Sequence, residues 1–176
     1  MLKIAITLPI AIALILTLTI PSRAELTQKH VQVALKSLNF AKPKIPSGAT
    51  VALIYSEGNA QSKALAENLS AFIASGKARK KIKLVPKIMP ATAIDLTGAR
   101  LVFVTDAAMA KMSEIVSAAN SNNALTVASD IKCSASGLCA LSIAIAPKVQ
   151  IYLSSSAAEK AGVSFSNAFM MLVKKH

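Results

Sequence analysis

The chain has 176 residues, enough for one domain with a proper core behind a short leader, and 20 Lys and Arg against 8 Asp and Glu give a net charge of +12. An apolar fraction of 53% excludes a disordered polyelectrolyte, and 4% aromatics with no Trp disfavour an aromatic platform for sugars or single-stranded nucleic acid. The charge invites a nucleic-acid partner, but an export signal and scattered lysines turn that reading down, so no nucleic acid is expected.

Met1-Leu2-Lys3, an apolar run from Ile4 to Ile20 and the exit Pro21-Ser22-Arg23-Ala24 form the three-part pattern of a secretory signal peptide. Residues 1–24 are expected to be removed, with Ser22 and Ala24 as the small residues before the cut and Glu25 as the new N-terminus. The rival is a retained anchor, for which about 17 apolar residues lie at the lower limit of a bilayer span. Loss of Lys3 and Arg23 lowers the charge from +12 to +10. The expected product is a single domain, residues 25–176, in the periplasm.

Glu25 to Phe40 carries Val31, Ala34, Leu35 and Leu38 at helical spacing, and Pro43, Pro46 and Gly48 close that helix in a loop. Ala49 to Tyr55 is a continuous apolar run rich in β-formers, the signature of a strand covered on both faces. After the turn at Ser56–Asn59, Leu65, Leu69, Phe72 and Ile73 stripe a second helix, with Gly76 as its stop. The basic run Lys77-Ala78-Arg79-Lys80-Lys81-Ile82-Lys83 reads as a solvated loop, or as a contact for an acidic partner or anionic lipid. Ile82 to Val85 is expected as a short strand cut at Pro86.

Arg100 to Thr105 is the next buried strand, and Asp106 opens a helix with Met109, Met112, Ile115, Val116 and Ala119 inward. Asn120–Asn123 closes it, and Ala124 to Ala128 is a further strand. Alternation of strand and helix to this point specifies a parallel sheet covered on both faces. Then Leu141, Ile143 and Ile145 alternate with small residues, Pro147-Lys148 turns, and Val149, Ile151 and Leu153 alternate in return, an antiparallel hairpin. The tail, Ser154 to Lys174, is expected to be helical around an interruption at Gly162, packed down by Phe165, Phe169, Leu172 and Val173. The fold class is thus a three-layer α/β sandwich, mostly parallel, with a C-terminal antiparallel hairpin.

Cys133 and Cys139 are an even pair at close spacing in an exported chain, which favours a disulfide. Metal binding is the rival, but no third or fourth ligand lies near, so no metal is expected. His30 and His176 have no acid or thiol at metal spacing. Asp106 and Asp130 follow strands, where α/β proteins place ligands, yet their plainer roles are helix N-cap and turn former. No nucleophile elbow, phosphate loop or dinucleotide turn is present, so neither an enzyme nor a cofactor is expected.

Leu125-Thr126-Val127-Ala128-Ser129-Asp130, Gly137-Leu138-Cys139, the hairpin, and Ile151-Tyr152-Leu153 running on through Ala158, Ala161-Gly162-Val163 and Phe165-Ser166 resemble the YfiR-like family. Leu38-Asn39-Phe40 and Thr105-Asp106 also match family positions. The resemblance covers most of the chain after residue 24 and is specific toward the C-terminus. It implies an α/β sandwich acting in the periplasm, where the best-known member restrains a membrane diguanylate cyclase by binding its periplasmic domain. It also implies that Cys133 and Cys139 are the family's disulfide beside the hairpin. The chain departs from the family at Ser154, usually Asn, in lacking Trp, and in having no second cysteine pair.

The expected function is therefore a non-enzymatic regulator of a membrane signalling protein in cyclic-di-GMP signalling, with a homodimer admitted and a small ligand left open. Lys80 and Lys81 are the expected charged contacts and Met170 and Met171 the adaptable apolar ones. A second resemblance sets the alternative. The unit from Ile54 to Leu69 is similar to strand–turn–helix units in the lobes of solute-binding components of ABC transporters, which would make this chain a single such lobe.

Overall fold

Residues 25–79 and 82–176 are described by a computed structural model. Residues 1–24, expected as a signal peptide, and the pair Lys80 and Lys81 lie outside the described residues. In chain order the elements are α1 (Gln28–Ser37), β1 (Ala41–Lys42), β2 (Thr50–Tyr55), α2 (Ala60–Ala74), β3 (Val85–Pro90), β4 (Ala99–Val104), α3 (Met112–Ser121) and β5 (Leu125–Ala128). They continue as α4 (Ile131–Ala135), β6 (Leu141–Ala144), β7 (Gln150–Leu153), α5 (Ser155–Lys160), β8 (Ser164–Phe165), α6 (Asn167–Met170) and β9 (Lys174–Lys175).

Seven strands form one sheet in the order β3-β2-β4-β5-β6-β7-β9; β1 and β8 form a separate antiparallel pair. Strands β3, β2, β4, β5 and β6 are mutually parallel, and β7 returns antiparallel to β6 with Leu141 opposite Leu153 and Ile143 opposite Ile151. The connection from β2 to β3 moves toward one edge and that from β4 to β5 toward the other. Right-handed crossovers then require α2 and α3 on opposite faces, and they are.

Alternate residues of the central strands supply the two cores. Leu53, Leu101, Phe103, Leu125 and Val127 pack beneath α1 and α2 with Leu35, Leu69 and Phe72. Ile54, Val102, Val104 and Ala128 pack beneath α3 and α4 with Met112, Ile115, Cys133 and Cys139. This is the three-layer sandwich with the hairpin at its C-terminal end.

Four local expectations are corrected. The strand expected to end at Pro86 instead runs from Val85 to Pro90. It is an edge strand whose odd-numbered amides face β2, as Val85 donating to Ala49 and Ala91 donating to Tyr55 show, so Pro86 and Pro90 fall where no donor is needed. The helix expected from Asp106 begins as a 3-10 segment, Asp106–Lys111, before α3. Asp130 starts a short helix, α4, where a turn is expected from the sequence.

The tail, expected as a broken helix, is two short helices and two short strands. Gly162 takes a positive φ of 66°, which ends α5, and the chain then extends to pair Phe165 with Ala41. Phe169 is buried and stacks on Phe40 and Phe165, but Leu172, expected to pack down, is 72% exposed.

Candidate functional site

The carboxyl ends of β2 and β4 meet where the strand order reverses, the position at which doubly wound sheets usually hold ligands. Three loops converge there, and their polar groups are spent on one another. Ser62 Oγ accepts from the Ser56 amide at 3.0 Å and sits 2.8 Å from Thr105 Oγ1, with both side chains buried. Asn59, the α2 N-cap, accepts from the Ser62 amide, and Glu57 accepts from the Thr92 hydroxyl.

Asp106 does not cap the helix that follows it; Thr105 occupies that position. One Asp106 oxygen accepts from Ser129 Oγ at 2.6 Å and the other accepts from the Leu26 amide at 2.9 Å. Leu26 is fully buried, so the segment ahead of α1 is drawn across the end of the sheet and tied down by the carboxylate most open to a catalytic reading. Asp130 accepts from the Lys132 amide as the N-cap of α4.

His30 is buried at the start of α1. Its Nδ1 accepts from the Thr27 amide at 3.0 Å and lies 2.8 Å from Thr27 Oγ1, so the ring takes the place of the usual Glu or Gln in a capping box. Burial lowers its affinity for a proton, against the opposing pull of Asp106 and of the Ile143 carbonyl. Its Nε2 makes no hydrogen bond among the described residues. A Thr-x-x-His spacing was the only trace of this junction in the sequence.

The cysteines form the expected disulfide, with Cα atoms 5.1 Å apart and both residues buried. It closes α4 onto β6, where Ser142 Oγ donates to the Asp130 carbonyl and accepts from the Ser134 amide. No cluster of three or more His, Cys, Asp or Glu able to hold a metal occurs among the described residues.

Lys80 and Lys81 fall outside the described residues, but the rest of their run is visible: Lys77 and Lys83 are exposed, while Arg79 donates to Asn39 Oδ1 at 2.6 Å and burial lowers its affinity for a proton. The loop is therefore partly fastened to the end of α1. Met170 is half-buried against the core, whereas Met171 is 87% exposed beside Leu172 and just ahead of Lys174 and Lys175.

A hollow also lies at the opposite end of the sheet. A cavity of about 500 Å³ opens at the amino ends of β4 and β5, between the Pro43–Pro46 loop and the α5–β8 turn. It was not foreseen, because its walls come from four separate parts of the chain.

No family model matches the sequence, and no curated protein matches it. Among solved structures the fold is similar to a conserved domain protein from Vibrio cholerae, at TM-score 0.59 and 13% identity over 82% of this chain and 59% of that one. It is also similar to an ABC domain from Streptococcus pneumonia crystallised in complex with L-Trp, at TM-score 0.58 and 12% identity over 83% of this chain and 60% of that one. The chain thus spans about three fifths of the length of these two structures. At such identities the likeness is one of fold.

Proposed function

We propose that this protein is an extracytoplasmic regulator without catalysis of its own, which binds the exposed domain of a membrane signalling protein such as a diguanylate cyclase. The observation that carries the reading is the closure of the switch point: Asp106, Ser129, Ser62 and Thr105 serve the chain's own N-terminal segment and loops. Binding energy must then come from the outer surface. Met171 and Leu172 are exposed together, and Lys174, Lys175 and the run from Lys77 to Lys83 give the same molecule an electropositive character that suits an acidic partner. The disulfide fits an oxidising compartment, and the resemblance to the YfiR-like family supplies the class of partner.

The test is titration of the chain with the periplasmic domain of a membrane diguanylate cyclase from the same organism. A Met171→Ser/Leu172→Ser variant should bind at least tenfold more weakly, and Lys80→Glu/Lys81→Glu should flatten the salt dependence. Neither should move the unfolding midpoint. Unchanged binding in both variants would refute the reading.

A second reading is favoured by one observation, the similarity to an ABC domain in complex with L-Trp. On that reading the chain is a single solute-binding lobe. A specific amino acid should then raise the melting temperature by mass action, whereas a purely protein-binding regulator should not respond.

A further inference from the structure

We propose that the cavity at the amino ends of the central strands is a binding site for a small carboxylic acid with an apolar body. This inference stands apart from the docking reading above, since it uses the opposite end of the sheet and none of the same residues. The cavity holds about 500 Å³, within the range of small-molecule sites, and Leu38, Ile45, Leu125 and Val163 give it apolar walls.

Its polar groups are few. Arg100 lines the cavity as the exposed second residue of β4, and no carboxylate among the described residues lies within ion-pair distance of it. The neighbouring Lys44 also lines the wall, its ammonium donating to the Asn39 carbonyl. Arg100 is thus a cation at the cavity wall that no carboxylate among the described residues neutralises, with the Lys44 ammonium adding a second positive charge to that wall. The planar fork of Arg100 matches the two oxygens of a carboxylate, and the apolar walls suit the hydrocarbon body that such an acid carries.

Asn123 supplies an uncharged polar group at the rim. It is the only non-glycine residue with positive φ among the described residues (51°), and its Oδ1 lies 3.1 Å from where a Cβ on Gly162 would sit. The glycine thus lets the amide lie flat against the α5–β8 turn, where it lines the same cavity. That backbone is the left-handed cap that ends α3, with the Ala124 amide donating to the Ala119 carbonyl, and it fixes Asn123 at the cavity wall.

Calorimetric titration of the whole chain with octanoate, with 1-octanol and octylamine as controls, tests the proposal. Octanoate should bind one to one, and both controls at least tenfold more weakly. Arg100→Met should weaken octanoate at least tenfold with an unchanged unfolding midpoint, since the side chain is exposed. The amide resonances of Gly162 and Asn123 should shift on addition of octanoate. Absence of binding, equal binding of octylamine, equal binding to Arg100→Met, or shifts confined to other residues would each overturn it. Failure here would leave the partner titration with Met171 and Leu172 variants untouched.

Discussion

Thr27 and His30 close the first turn of α1 through a ring nitrogen that must be unprotonated to accept the Thr27 amide. The unfolded chain titrates near the ordinary value of 6.5, while burial holds the folded value lower. Below about pH 6.5 the unfolded state therefore takes up a proton that the folded state refuses, and stability falls as pH falls through that window. It is fully present above the unfolded value. Urea unfolding at pH 7.5 and 5.5 should show the wild type losing stability on acidification. His30→Gln keeps an acceptor at the third helical position and should lose measurably less. An identical loss in both proteins would place the proton uptake elsewhere. At this scale the sequence was least informative. His30 shares a helix face with Val31 and Ala34 and could be read as packed or solvated, and Asp106, read as an N-cap, serves Leu26 and Ser129, which lie 80 and 23 residues away in sequence.

Elements were legible where local and tertiary demands agreed. Strands β2, β4 and β5 are buried on both faces and read as continuous apolar runs, and the β6–β7 hairpin keeps its period of two around Pro147. They were misread where tertiary position overrode a local rule. Pro86 breaks a central strand but is harmless on the outward side of an edge, and edge position cannot be seen in one sequence. In the tail, apolar residues at near-helical spacing are divided by the extended pairing of β8 with β1, a contact with distant Ala41 and Lys42. The α4–β6 connection lies between these cases: the cysteines announced it, but the helix did not. The disulfide there closes a loop with a sequence separation of 6, so chain entropy assigns it about 2 kcal/mol. Cys133→Ala/Cys139→Ala should fold and lose about that much in urea denaturation, because Ser142 still ties β6 to the backbone of α4. A loss indistinguishable from zero would mean that those hydrogen bonds hold the connection unaided.

For the whole molecule, the alternation of buried strands with amphipathic helices was enough to predict two covered faces, and a crossover rule assigns α2 and α3 to opposite ones. What it could not give was function, since the residues at the switch point are consumed internally and the cavity at the other end is assembled from distant loops. The two cores share a sheet only one residue thick. Leu101 and Phe103 point to one face, and Val102 and Val104, their immediate neighbours, to the other. Loss of packing on either side should therefore destabilise both, and the molecule should unfold as one unit. Phe103→Ala, on the α2 face, should cost about 3–5 kcal/mol, and Ile115→Ala, on the α3 face, about 2–5 kcal/mol, by transfer and cavity terms. Against a total of about 5–15 kcal/mol these are large losses. The chain has no Trp and two Tyr, so in a Tyr152→Phe background Tyr55, packed against the first core, supplies a fluorescence probe for that face, while far-ultraviolet circular dichroism follows helices on both. In each variant the two signals should move together, to the same lowered midpoint. If Ile115→Ala shifts the dichroism transition and leaves the tyrosine transition where it was, the faces melt separately and the sheet does not couple them.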